Sequence, residues 1–117
     1  MVTFRNYDEK EQIDRVWYQS SNIVFTECLD NPDSLKTLTV TFKNNRRYRY
    51  DDVDVNDYVM FMHGGLDGSN GKAFSKYIVS KYKGVKIEDA SSDYVQLLLE
   101  KYQKKEENTE TEKTSEN

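Results

Sequence analysis

Residues 36–50 read KTLTVTFKNNRRYRY, and this stretch decides the fold. Every second residue from 38 to 42 is apolar, which is the pattern of a strand with one buried face. Asn44 and Asn45 follow as a two-residue turn, because asparagine tolerates the positive φ that hairpins need. Residues 46–50 then return as the partner strand. The stretch therefore predicts a β-hairpin.

The alternation within the hairpin also predicts which side chains face the core. Tyr48 and Tyr50 share a strand face, and Arg47 and Arg49 share the opposite one. Pairing with the preceding strand sets the tyrosines beside its apolar residues and the arginines beside its threonines. We expect helices to cover the tyrosine face and the arginines to point outward.

Segments on both sides of the hairpin complete an α+β domain. Residues 23–28 are rich in β-formers and add a third strand to an antiparallel meander. Residues 16–18 are a candidate for a fourth, short strand. Asp54 is suited to cap a first helix, and a second helix is predicted over residues 72–81. The expected buried stripe of the first helix is Val55, Tyr58, Val59 and Met62.

Composition divides the chain into four zones. Residues 1–18 form a charged lead-in, residues 19–87 the core domain, residues 88–105 an added helix and residues 106–117 a tail without hydrophobic residues. Such a tail cannot offset the entropy lost on ordering, so we expect it to be disordered. Its five acidic residues and one lysine equal the net charge of −4 of the whole chain. The remaining 105 residues are therefore neutral.

The rare residue types limit the classes of protein to consider. Cys28 is the only cysteine and His63 the only histidine, which excludes an internal disulfide and a cysteine-based zinc cluster. The sequence holds no run of roughly 18 apolar residues, as a membrane span needs, and residues 1–10 do not resemble a secretory signal. We expect a cytoplasmic protein without cofactor, metal or membrane contact.

Several short motifs follow one another in a recognisable order. They are Ser20-Ser21-Asn22-Ile23, Tyr48-x-Tyr50 with Asp52-Val53, Tyr58, and Ser69-x-Gly71-x-x-Phe74 followed by Ile78 and Tyr82. Over roughly residues 17–83 this order resembles the KTSC domain, a small module found at the C-terminus of some lysyl-tRNA synthetases and as stand-alone bacterial and phage proteins. Family members often carry proline after the Tyr-x-Tyr segment, where this chain has Asp54 and Val55. The resemblance implies RNA binding, suggested by that place beside a synthetase.

The basic hairpin is the first candidate site. Arginine pairs with phosphate and aromatic rings stack on bases, so basic residues among tyrosines are typical of a site for single-stranded nucleic acid or a nucleotide. The candidate residues are Lys43, Arg46, Arg47, Tyr48, Arg49 and Tyr50. If the tyrosines belong to the core, only the basic side chains remain for binding.

The glycine-rich loop before the second helix is the second candidate site. Ser69, Asn70, Gly71 and Lys72 could hold an anion, because backbone N–H groups at a helix start attract negative charge. The phosphate-loop pattern is not matched, since Leu66 stands where its first glycine belongs. The alternative is an ordinary turn in which Ser69 or Asn70 caps the helix.

Together these patterns predict a non-catalytic binding module. The leading hypothesis is binding of RNA, single-stranded nucleic acid or a nucleotide through the basic hairpin. The alternative is a protein-interaction module, such as a phage-encoded modulator of a host enzyme or defence system, acting through the added helix and the tail. A catalytic pair of Cys28 and His63 is disfavoured. Open strand edges also predict a homodimer formed through a sheet edge.

Overall fold

A computed structural model describes residues 1–64 and 68–116, with residues 106–116 as backbone alone. Six strands form one antiparallel sheet in which each strand pairs with the next in sequence. The strands are β1 (Val2–Asp8), β2 (Ile13–Tyr18), β3 (Ile23–Asp30), β4 (Lys36–Phe42), β5 (Arg47–Val53) and β6 (Gly84–Ile87). The helices are α1 (Val55–Met62), α2 (Asn70–Phe74), which continues as a π-helix over Ser75–Val79, and α3 (Tyr94–Glu116).

The α+β class is confirmed, but the predicted three-stranded meander understates the sheet. The lead-in, residues 1–18, forms the hairpin β1–β2, and β6 pairs with β5. The candidate short strand at residues 16–18 is confirmed as the end of β2, which begins earlier, at Ile13. The first half of β2 was not predicted because it carries Asp14 and Arg15, two charged residues that are buried. β3 and β5, expected at the sheet edges, are interior strands, and β1 and β6 are the edges instead.

The hairpin between β4 and β5 has the predicted parity. Leu38 is the register partner of Tyr50, and Thr39 is the partner of Arg49. The expected two-residue turn is wrong. The N–H of Phe42 donates to the carbonyl of Arg46 at 3.0 Å, and this hydrogen bond closes a loop of three residues, 43–45. Within that loop Asn45 takes a φ of 67°, the left-handed conformation that asparagine was expected to supply.

Helices α1 and α2 cover one face of the sheet, called here the inner face. As predicted, Asp54 caps α1, with its carboxylate accepting a hydrogen bond from Asn56 N–H at 2.8 Å. The predicted buried stripe is wrong at two positions, because Val55 and Val59 are exposed near the cavity described below. The helix instead buries Tyr58, Phe61 and Met62 against the sheet.

Helix α3 packs on the opposite face, called here the outer face. Trp17, Phe25 and Tyr102 form a second buried cluster there, and the indole N–H of Trp17 donates to the carbonyl of Val95 at 3.1 Å. The sheet is therefore covered by helices on both sides. Within the described residues no helix has the length and apolar character needed to cross a membrane.

The boundaries of α3 differ from those predicted. Residues 88–93 precede the helix, and its backbone stays helical to Glu116, through the tail that we expected to be disordered. The glutamates and the lysine in this segment favour helix, and no proline or glycine interrupts it.

Candidate functional site

The tyrosines and the arginines of the predicted basic-aromatic site lie on opposite faces of the sheet. Tyr50 lies on the inner face, is 6% exposed, and contacts the ring of Phe74 edge-on at 5.6 Å between centroids. Tyr48, also on the inner face, is half-buried with its ring 6.0 Å from that of Phe42. The buried Tyr50 cannot stack on a base, so its inclusion in the predicted site is wrong.

The arginines of the hairpin lie on the outer face and already have partners. Arg47 donates from Nε to the carbonyl of Glu88 at 2.9 Å, and its guanidinium lies 5.5 Å from the centre of the Tyr94 ring. Arg49 forms an ion pair with Asp51, with Nε 3.1 Å from Oδ1. Lys43 and Arg46 are exposed near the hairpin loop. The structure does not place these basic groups on one surface with Tyr48 and Tyr50, the tyrosines of the predicted site.

The glycine-rich loop uses its polar groups within the chain. Ser69 accepts a hydrogen bond at its hydroxyl from Lys72 N–H at 3.3 Å, which is the predicted helix cap. Asn70 is 2% exposed, and its amide nitrogen donates to the carbonyls of Phe61 and Met62 at 2.9 and 3.0 Å. Its amide oxygen accepts from the N-terminal ammonium. Asn70 therefore ties the end of α1 to α2 and is not oriented toward an external anion. Gly71 lies in the first turn of α2.

The structure does not bring Cys28 and His63 together. Cys28 is buried near the first turn of α1, and this burial raises the pKa of its thiol to about 12. His63 is exposed at the C-terminal cap of the same helix, as expected. Across residues 1–64 and 68–116, no group of three or more His, Cys, Asp or Glu side chains is placed to hold a metal ion.

Helix α3 leaves part of the outer face uncovered. A shallow groove of about 210 Å³ remains there, and its lining residues are called here the open sheet face. They are Ile13, Glu27, Leu29, Thr37, Thr39, Arg47 and Ile87. Val85 and Arg49 adjoin it, because β6 pairs with β5 in a register that sets Val85 opposite Arg49. The surface is mixed, with aliphatic side chains, threonine hydroxyls and both signs of charge.

A second concave site lies on the inner face, beside the first turns of α1. This charged cavity has a volume of about 160 Å³. It is lined by Arg5, Tyr7, Asp14, Cys28, Asp30, Lys36, Val55, Tyr58 and Val59. Four neighbouring strands supply its polar side chains, and α1 supplies its apolar walls.

Two ion pairs dominate the charged cavity. Arg5 donates from Nε to both carboxylate oxygens of Asp14, at 2.9 and 3.2 Å, and the hydroxyl of Tyr58 donates to the same carboxylate at 2.8 Å. Lys36 pairs with Asp30, which also accepts a hydrogen bond from the hydroxyl of Tyr7 at 2.9 Å. The neighbouring Lys36 ammonium holds the pKa of Asp30 below its usual range, and burial raises that of Tyr58.

Sequence analysis missed both concave sites for the same reason. Arg5 and Asp14 lie in the segment interpreted as a lead-in, and they meet only because β1 and β2 pair in one register. The open sheet face likewise needs β6, which contributes Ile87. The available signal was weak, because the apolar positions Val2 and Phe4 alternate with polar residues but Asn6 and Tyr7 break the pattern.

Comparison with known proteins supports the predicted family. The model of the KTSC domain family matches residues 33–82. The match covers β4, β5, α1 and α2 and ends before β6. Strands β1 to β3 and helix α3 lie outside it. No curated protein matches the chain.

Proposed function

We propose that the chain, whose residues 33–82 match the KTSC domain family, is a non-catalytic binding module that docks a protein segment on the open sheet face. One observation carries the proposal: α3 covers only part of the outer face, leaving aliphatic side chains in contact with water. A partner that covers this surface removes apolar area from water, which is the dominant favourable term in association.

The open sheet face combines partly exposed aliphatic side chains with hydroxyl groups, as protein–protein interfaces do. Leu29 and Val85 are 37% and 42% exposed, and Ile13 and Ile87 lie half-buried beside them. Burial of these side chains contributes roughly 25 cal/mol per Å² of apolar surface removed from water. The hydroxyls of Thr37 and Thr39 can hydrogen-bond polar groups of the partner backbone.

Charge further defines the partner. Arg49 and Asp51 form an exposed ion pair, and such pairs contribute only about 0–1 kcal/mol, so a carboxylate of the partner can replace Asp51 at little cost. Arg47 lines the groove itself. The partner segment should therefore present aliphatic side chains with at least one carboxylate opposite these arginines.

RNA is the less favoured ligand. The residues that line the open sheet face include no aromatic side chain. The adjoining ring of Tyr94 is already in contact with the Arg47 guanidinium and donates its hydroxyl to Glu27, so it offers little surface for stacking on a base. The cations on this surface are also few, since Arg47 lines it and Arg49 adjoins it. Binding of a polyanion with a steep salt dependence needs several lysines or arginines on one surface that are not paired with carboxylates.

Site-specific photocrosslinking tests the proposal. A photoreactive residue is introduced in place of Leu29 in the full chain, and a matched chain carries it in place of Val79, which is exposed on the π-helix. In the native cells, a protein should crosslink at Leu29 and not at Val79. That protein is then purified and its affinity measured. Leu29→Asp should weaken binding roughly tenfold or more, whereas Val79→Asp should not.

Two results would contradict this function. One is the absence of any crosslinked protein specific to the Leu29 position. The other is binding of short single-stranded RNA with a steep salt dependence that is lost in the double variant Arg47→Ala, Arg49→Ala, which would restore the nucleic-acid hypothesis.

A further inference from the structure

The charged cavity collects two positive and two negative side chains from four adjacent strands. Asp14 on β2 is the register partner of Cys28 on β3, and Asp30 lies two residues further along β3. Arg5 approaches from β1, and Lys36 is the register partner of Asp30 on β4. Two carboxylates thus lie over the central strands and two cations flank them on the outer strands.

The burial of Asp14 is costly for the fold. Its side chain is 8% exposed, whereas that of Arg5 is 52% exposed. A charge withdrawn from water loses hydration that a partly exposed partner restores only in part. An apolar side chain at this strand position would pack against Cys28 and Tyr58 without that cost. The pair Lys36 and Asp30 is likewise partly withdrawn from water, with side chains 17% and 35% exposed.

From this arrangement we propose that the charged cavity binds a small zwitterion, a free amino acid, on the face of the sheet opposite the open sheet face. The ligand ammonium lies over Asp14 and Asp30. The ligand carboxylate reaches Arg5 or Lys36, whose N–H groups suit carboxylate oxygens. The cavity balances two positive and two negative groups, so it matches a ligand of no net charge that carries both signs.

The dimensions of the cavity limit the ligand to a small one. Its volume of about 160 Å³ equals that of about five water molecules at ~30 Å³ each. An amino acid such as alanine or serine fits within this volume. Val55 and Val59 form apolar walls on the α1 side, against which the methyl or methylene group of a small amino acid can pack.

Titration of the full chain with single amino acids tests the site. Amide chemical shifts are followed by NMR as each amino acid is added, and the shifts should saturate around the cavity for at least one small amino acid. Its N-acetyl derivative lacks the ammonium and its amide lacks the carboxylate. Each derivative should bind at least roughly tenfold more weakly, because each loses one charged contact.

Variants locate the binding. Arg5→Gln and Lys36→Gln, singly, should each weaken affinity, and Val59→Trp should block the cavity while leaving its charges in place. Val79→Trp adds the same ring at an exposed position outside the cavity and should leave affinity unchanged. If Arg5→Gln disturbs the fold, Val59→Trp still decides the question. The proposal is overturned if no amino acid binds, if either derivative binds equally well, or if Val59→Trp binds normally.

Discussion

Gly84 lies against the ring of Tyr50, and this close approach fixes one strand of the sheet. A Cβ at position 84 would stand 2.8 Å from Cε2 and Cζ of Tyr50 and 2.9 Å from its hydroxyl oxygen. The ring cannot swing aside freely, because it is buried and packs on Phe74. Only glycine lets β6 pair with β5 at this point.

Gly84→Ala should therefore destabilise the protein by about 1–3 kcal/mol, as overpacking of a buried site does. Gly71→Ala is the matched control. A Cβ there meets only the Ser69 hydroxyl oxygen, at 3.9 Å, and alanine favours helix over glycine by up to about 1 kcal/mol. Urea unfolding followed by Trp17 fluorescence measures both changes. Equal unfolding midpoints for the two variants would show that the Tyr50 ring yields without cost.

At the level of elements, Tyr102 is the most buried of the described side chains by which α3 packs on the outer face. Tyr102 is 3% exposed, its ring centroid lies 6.4 Å from that of Trp17, and the Arg15 guanidinium lies 5.0 Å from its centre. The other apolar residues of the helix that face the sheet are only half-buried. The attachment of α3 therefore depends strongly on this single side chain.

Tyr102→Ala should cost about 3 kcal/mol, the usual loss for a buried aromatic residue, and should release α3 before the sheet unfolds. Hydrogen exchange should speed up along α3 while β3 to β5 stay protected, and Trp17 emission should shift to the red. Gln103→Ala changes an exposed neighbour on the same helix and should alter stability by less than about 0.5 kcal/mol. Uniform loss of protection in sheet and helix would contradict an independent release of α3.

The elements that the sequence predicted are those with one solvent-exposed face and one buried face. β4 and β5 alternate cleanly, and α1 begins at a recognisable cap, Asp54. β2 lies between two packed faces and pairs its charges internally, so neither periodicity nor polarity reveals it. β6, at four residues, is too short for a periodic signal. The charged cavity uses a side chain of β2, and the open sheet face uses a side chain of β6. The sequence therefore showed single candidate residues but not which of them lie together in a site.

For the molecule as a whole, several buried groups hold their protons more tightly in the folded chain. Burial raises the pKa of Cys28 from 9.0 to about 12, and burial with the nearby Glu27 carboxylate raises that of Tyr94 from 10.0 to about 12. Burial also raises the pKa values of Tyr18 and Tyr58. The unfolded chain loses these protons first, so unfolding becomes easier as pH rises.

We therefore expect the stability contributed by these groups to be complete below about pH 9 and to fall steadily as pH rises towards 12. Urea midpoints between about pH 8 and pH 11 measure the effect. Tyr94→Phe removes one of the titrating groups and should make the decline shallower, whatever its effect on stability at neutral pH. A midpoint that stays constant over this range would contradict the expected linkage.

The order of the six strands has a kinetic consequence. Because each strand pairs with the strand that follows it, most of the sheet can form by closing short loops in succession, and only the pairing of β5 with β6 must wait for the helical segment between them. Short loops close quickly and at small entropic cost. The chain should thus begin to fold while it emerges from the ribosome, with the first hairpin in place before α3 has been synthesised.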